Sequence, residues 1–533
     1  MYVKSTLLNA TSFVMLVSQF AICAAADEPI AQTAEGTFVG LVTERGEEFL
    51  GVPYAKAPVG DLRWKAPEKV ATWQGARDAK TLPPACPQKF NADQRVSLSQ
   101  SEDCLFLNIY RPKDSAGKNL PVAVWLHGGG NTNGSGSNHD GGAMAERNGI
   151  VVLTLNHRLG ALGFLNHPAL QKEAKDGLAG NYGIADIKAA LIWVTDKISG
   201  FGGDPKKVTV FGESSGATNI CAMAVTSAGV QGLYRGQIIE SDDCFHDMET
   251  AESSEVKAVK WSEQMGCKAS EDAASCLRKK SVDEIIAAGG RWFPQVDAKG
   301  LLTEYGVDGI ASGNFLKIPT IIGSNREEGR NAGPSYFKFT QSDYLKWVEQ
   351  IGAPDRAERI LEKYPANLHT DKKHPIAEVV TDVITDSGMR GLGGCTVRDA
   401  AIKLSRIAPT YYYQFDDPGA PVTNEVEGWK FGAAHGAEVP YLFPRHDGID
   451  EASRKFDAGQ RQLSDDMIRY WGAFVRSGAP RVDGLPDWPQ FGKEQKAMML
   501  RPAGKSGIVT SEEISKDHQC DFWTSMPWIT DRG

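Results

Sequence analysis

Ser214 lies in Gly212-Glu213-Ser214-Ser215-Gly216, after the apolar run 208–211 (VTVF) and before a helical run at 217–225. A G-x-S-x-G pentapeptide between strand and helix makes a sharp, strained turn that holds a hydroxyl clear of a sheet. Side chains in place of Gly212 and Gly216 would collide with nearby backbone. The helix N-terminus that follows favours negative charge developing beside it. A serine held this way can attack a carbonyl carbon. That reaction needs donors for the oxyanion, a base for the hydroxyl proton and an acid to orient the base. An ordinary Gly/Ser turn has the same composition; the strand before and the helix after separate the two readings.

Each requirement has a candidate. The run 121–126 (PVAVWL) ends in His127-Gly128-Gly129-Gly130, whose bare N–H groups can converge on one oxygen. Preorganised donors of this kind are worth about 3–4 kcal/mol each in the transition state. We assign Gly129, Gly130 and Ser215 as the donors and read His127 as structural. Of ten histidines, His435 stands out, surrounded by small residues in 432–438 (GAAHGAE). The acid falls in 323–329 (GSNREEG), after the run 319–323 (PTIIG). The order Ser, acid, His is that of an α/β-hydrolase. Residue chemistry alone leaves Glu327 and Glu328 both open, and His446 open beside His435.

These residues need a scaffold. The runs 121–126, 150–155 (IVVLTL), 208–211, 237–240 (QIIE), 319–323 and 409–415 (PTYYYQF) are β-branched or aromatic and bounded by turn residues, so they read as buried strands. Ile184, Ile187, Leu191, Val194 and Ile198 recur at helical spacing. Strands alternating with helices predict an α/β architecture, a central, mostly parallel, twisted sheet with helices on both faces. Catalytic residues in such sheets sit beyond the carboxyl ends of strands, where every candidate above falls.

The 533 residues carry a net charge of −9, which argues against nucleic acid as the main partner. Lys4, the apolar stretch 13–22 and Ala24-Ala25-Ala26 read as a cleaved signal peptide over 1–26, with 27–533 as a single catalytic domain, secreted or periplasmic. Cys23 follows Ile22, which disfavours a lipoprotein anchor. No later stretch reaches the roughly 20 apolar residues of a membrane span. Eight of the nine cysteines remain beyond residue 26. Cys221, in an apolar run, reads as a buried thiol, and Cys244 has no assignment. No CxxC pair or HExxH helix suggests a metal, and no cofactor is expected.

Further segments give a resemblance. Residues 49–58 (FLGVPYAKAP), 102–112 (EDCLFLNIYRP), 156–164 (NHRLGALGF), 180–194 (GNYGIADIKAALIWV) and 201–216 (FGGDPKKVTVFGESSG) resemble the type-B carboxylesterases, which include cholinesterases and bacterial para-nitrobenzyl esterases. The likeness spans nearly the whole chain after residue 26. It implies the α/β-hydrolase fold and serine esterase activity on small-molecule esters. It implies Glu328, before Gly in G-x-N-x-x-E-G, as the acid, and His435, in H-G-x-E, as the base, with Glu438 nearby and Ser241 supporting the acid. It also implies the disulfides Cys86–Cys104, Cys267–Cys276 and Cys395–Cys520.

The sequence departs from the family at several points. Asn131 opens a polar stretch, 131–140 (NTNGSGSNHD), where an aromatic is common. His157 stands for the usual Tyr, and Asp242-Asp243 for a glycine-led turn. No Trp lies between Cys86 and Cys104 to stack on a quaternary ammonium, which disfavours acetylcholine. Asn131, Trp292 and Phe293 are candidate pocket residues, with Trp292 and Phe293 equally readable as core. The polar loop favours a polar or bulky hydrophilic ester. The alternatives are a lipase for longer acyl chains and a non-catalytic binding protein; the intact Ser, His and acid disfavour the second.

Overall fold

The computed structural model describes residue 1 and residues 28–89, 99–174, 178–225, 228–245, 248–268, 272–297, 300–352, 354–422, 425–445 and 455–526. The signal-peptide reading of 1–26 and the alternative His446 lie outside the described residues, apart from residue 1.

The strands in chain order are β1 (Ile30–Gln32), β2 (Thr37–Val39), β3 (Leu41–Thr43), β4 (Gly46–Pro53), β5 (Ala76–Asp78), β6 (Phe106–Arg111), β7 (Leu120–Leu126), β8 (Val151–Leu155), β9 (Gly203–Glu213), β10 (Gly236–Glu240), β11 (Glu249–Thr250), β12 (Gln295–Val296), β13 (Thr320–Asn325), β14 (Thr410–Phe415), β15 (Lys496–Leu500) and β16 (Gly507–Thr510). Eleven form one sheet, in the order β16-β15-β14-β13-β10-β9-β7-β8-β6-β4-β3. From β15 through β8 every pairing is parallel. The edges, β16 on one side and β6, β4 and β3 on the other, are antiparallel. All six runs expected as strands lie in this parallel centre, and every residue of β8, β10, β13 and β14 is buried.

Side-chain alternation divides the interior into two cores. Val122, Val124, Leu126, Val210 and Ile322 point to one face, where Ile184, Ile187 and Leu191 of the helix Tyr182–Lys197 cover them. Ala123, Trp125, Phe211, Ile238 and Ile321 point to the other, against Met467, Trp471 and Phe474 of the helix Ala458–Ser477. Helices therefore cover both faces, as a buried parallel sheet requires. A third cluster, including Tyr344, Val383 and Trp523, gathers around Cys395 and Cys520.

The three expected disulfides are present, and so is a fourth, Cys221–Cys244. Cys221 is therefore not the free thiol expected from its apolar surroundings. It projects from the helix Ser215–Ala224 toward the turn after β10, where Cys244 sits at φ 62°. Asp242 shapes that turn: its carboxylate accepts from Cys244 N at 2.7 Å and from Thr218 Oγ1 at 2.7 Å. Among the described residues, no helix is long and apolar enough to cross a membrane.

Candidate active site

β9 ends at Glu213 and the next helix starts at Ser215, leaving Ser214 alone in the turn at φ 54°, ψ −127°. A non-glycine residue held there costs about 1–3 kcal/mol. A Cβ on Gly212 would sit 2.7 Å from Leu126 O, and one on Gly216 only 2.1 Å from the same atom. The two glycines let the elbow press against the end of β7. Ser214 stays partly exposed while its neighbours Glu213 and Ser215 are buried.

β13 and the loop around His435 supply the next two groups. His435 Nε2 lies 2.9 Å from Ser214 Oγ, and His435 Nδ1 lies 2.7 Å from Glu328 Oε2. A carboxylate only accepts, so Nδ1 carries the hydrogen and Nε2 is left to take the serine proton. Glu328 is buried, and its second oxygen accepts from Ser241 Oγ at 2.6 Å and Asn325 N at 2.7 Å. Of the two candidate acids, Glu328 is the one that reaches His435. Glu327 turns away and accepts from Ala433 N at 3.0 Å.

The glycine strip lies against the elbow. A Cβ on Gly128 would be 3.1 Å from Ser214 Cβ. Gly129 and Gly130 take φ 108° and 62°, which glycine adopts freely and L-residues rarely do. The turn closes through Thr132 N and Asn133 N, both donating to Gly129 O.

Carboxyl groups crowd the imidazole. Glu213 Oε1 is 3.2 Å from His435 Nε2. Burial alone would lower the basicity of His435, but Glu213, then Glu328 with its hydrogen bond, then Glu438 outweigh it and raise the pKa. Burial, with Glu213 and Glu328 nearby, pushes Glu438 up to about 8. Glu240, fully buried and bonded to Trp471 Nε1 at 2.8 Å, is also raised, by burial and by Glu438. Sequence reading missed Glu213 and Glu240, although Glu213 stood inside the elbow motif as an acid adjoining the nucleophile.

The three pocket candidates have different surroundings. Asn131 is buried at φ 54° and exchanges amide hydrogen bonds with Asn219, at 3.2 and 2.9 Å. Its amide faces the protein interior, and the polar groups beside the glycine strip are those of Thr132 and Asn133. Trp292 is core: it packs edge-on against Trp261, with Lys257 Nζ 4.7 Å from its ring centre. Phe293 is half-buried beneath Arg291, whose guanidinium sits 5.0 Å from the ring centre. His127 is structural, stacked on His157 at 4.9 Å with both rings buried. The metal-type cluster Cys221, Asp242 and Cys244 has its two sulfurs bonded to each other.

Residues 27–523 match the Carboxylesterase family. The chain is 33% identical to fumonisin B1 esterase of Sphingopyxis macrogoltabida, over 93% of this chain and 91% of that protein. It is also 33% identical to human cocaine esterase, with the same coverage. A solved PNB esterase superposes with TM-score 0.76 at 30% identity, covering 92% of this chain and 99% of the other. EstA of Aspergillus niger, at 24% identity and TM-score 0.79 over 94% and 99% of the two chains, shares the fold.

Proposed function

The chain belongs to the Carboxylesterase family and is a carboxylic-ester hydrolase, and from that premise we propose that it works through an acyl-enzyme on Ser214. The observation that carries this reading is the unbroken relay from Ser214 Oγ to His435 Nε2 and from His435 Nδ1 to Glu328. Ser214 Oγ attacks the ester carbonyl as His435 takes its proton. Glu328 holds the ring and, with Glu213, stabilises the imidazolium so formed. The N–H groups of Gly129, Gly130 and Ser215 receive the oxyanion. The tetrahedral intermediate collapses, the C–O bond to the alcohol breaks, and the alcohol departs with the proton from His435. Water, activated by the same histidine, then attacks the acyl-enzyme and frees the acid and Ser214. None of these steps calls for a metal or an organic cofactor.

The same proposal takes 1–26 as a cleaved export segment and 27–533 as one catalytic domain outside the cytoplasm. The family match from residue 27 supports the boundary, and four disulfides fit an oxidising compartment. The test is hydrolysis of para-nitrophenyl esters from acetate to palmitate by wild type and Ser214→Ala. Turnover of the short esters, abolished in the variant together with covalent labelling by an organophosphate, is the expected result. Turnover that survives the substitution would move the nucleophile elsewhere.

A further inference from the structure

The donors assigned to the oxyanion come from two segments far apart in sequence. Gly129 and Gly130 follow β7, and Ser215 opens the helix Ser215–Ala224 after β9. An oxyanion hole works only when donors on both segments converge on one point, about 2.7–3.1 Å from each. At its start the strip is fixed by close packing, since a Cβ on Gly128 would be 3.1 Å from Ser214 Cβ. Gly130 lacks that support. It takes φ 62°, and among the described residues beyond its chain neighbours a Cβ there would meet only Thr132 Oγ1, at 3.8 Å. A glycine so loosely surrounded keeps its N–H in place only if the chain beyond it is anchored.

Asn131 supplies that anchor. Its Nδ2 donates to Asn219 Oδ1 at 3.2 Å, and its Oδ1 accepts from Asn219 Nδ2 at 2.9 Å. Asn219 stands on the helix that begins at Ser215, about one turn further along. One amide therefore sits on the residue after Gly130 and the other just beyond Ser215, and the pair ties the two donor segments together. Both side chains are buried, at 1% and 0% exposure, so neither can touch a bound ester. Buried amides have to be satisfied, and here each satisfies the other. Two directional hydrogen bonds fix separation and orientation at once, which an apolar contact at the same place would leave free to slide. The backbone of Asn131 is held as well. It takes φ 54°, a conformation asparagine tolerates better than most residues, and its carbonyl accepts from Gly160 N at 2.7 Å.

We infer that Asn131 and Asn219 are positioning residues, whose paired amides hold the N–H groups of Gly130 and Ser215 at the spacing the oxyanion requires. The inference rests on the Ser214 and oxyanion-hole reading above and adds two residues that act through its donors. The test uses Asn219→Leu, close to asparagine in volume, Asn131→Gly, which keeps the positive φ accessible, and the two combined. Each variant is assayed for kcat and KM with 4-nitrophenyl acetate, with active sites counted by organophosphate titration. Each is also assayed for inhibition by 1,1,1-trifluoro-2-octanone. Ser214 Oγ adds to that ketone's carbonyl carbon as His435 takes the serine proton, and the resulting hemiketal carries the oxyanion of the ester reaction. Each single substitution should lower kcat and weaken the ketone about 100-fold, with KM nearly unchanged. The double variant should lose no more than the worse single, because the two amides act as a unit. If Asn219→Leu does not fold, Asn219→Ala takes its place in the same measurements. Folded variants that keep wild-type kcat per active site and wild-type ketone affinity, whatever their Tm, would overturn the inference and leave the Ser214 reading intact. Losses that simply multiply in the double variant would overturn it too. Turnover that survives Ser214→Ala would sink both.

Discussion

His157→Phe should make the protein less sensitive to acid while weakening it slightly at neutral pH. His157 is fully buried, and burial depresses its pKa from 6.5 to about 4. Its neighbour His127 is depressed further, to about 3, by burial and by His157 itself. Both rings are therefore neutral in the folded protein at pH 7. A histidine with a lowered folded pKa contributes stability that is full above its unfolded pKa and is lost as pH falls toward the folded one. At about pH 4.5 nearly every unfolded chain has a proton on this side chain, against roughly a quarter of folded ones. Integrating that difference down from pH 7 gives a loss of about 2.5 kcal/mol from His157 alone. Phenylalanine does not titrate, so the variant escapes this loss. It forfeits the contact of His157 Nδ1 with Arg158 O, 3.1 Å in the folded protein, at a cost of about 1 kcal/mol. The variant should be about 1 kcal/mol less stable at pH 7 and about 1.5 kcal/mol more stable at pH 4.5. Urea unfolding followed by tryptophan fluorescence, with disulfides intact, measures both. Stability curves that run parallel from pH 7 to pH 4.5 would refute the reasoning, because His157 would then titrate alike folded and unfolded.

Three other outcomes are expected. Glu213→Gln removes a charge that raises the pKa of His435; the acid limb of the kcat/KM profile should move to lower pH and kcat should fall, as the imidazolium formed on attack loses support. Cys221→Ala/Cys244→Ala opens a loop spanning 23 residues and should lower stability by about 3 kcal/mol in chemical denaturation. Asp186→Asn strips the buried Arg158 of its two-point partner, at 2.7 Å on both contacts; leaving that cation unpaired should cost about 3–5 kcal/mol and lower Tm.

Six of the seven strands in the parallel centre were legible because each carries a buried, mostly β-branched or aromatic run; β15, Lys496–Leu500, was not read although four of its five residues are buried. The outer strands were not read from apolar runs. β3 and β16 are short and half exposed, and β4 carries a register shift between Leu50 and Val52 that breaks simple alternation. Local chemistry likewise located the elbow, the glycine strip and two acids, but could not choose Glu328 over Glu327. That choice depends on which carboxyl the turn after β13 aims at His435, a contact between residues 107 positions apart. Trp292 shows the same limit: nothing local reveals that Trp261, on another element, covers it. Cys221 read as a thiol because its partner lies across the turn after β10, and Asp242, noted in the sequence only as a departure, is what holds that turn.

The surroundings of His435 explain how one imidazole can sit among so many acids. Were Glu213, Glu240, Glu328 and Glu438 all ionised, their mutual repulsion in a buried site would exceed what one imidazolium could offset. Their environments divide them instead. Glu328 accepts hydrogen bonds from Ser241 and Asn325. Glu240 has Trp471 alone, with its second oxygen unpaired, and it faces Glu438. Burial and mutual repulsion push Glu438 up to about 8 and raise Glu240, which favours the protonated form on that side of the site, while Glu213 and Glu328 are the two carboxyl groups in contact with His435. A site arranged this way gains charge stabilisation when the imidazolium forms, at the moment Ser214 attacks, and avoids a permanent excess of buried negative charge between turnovers.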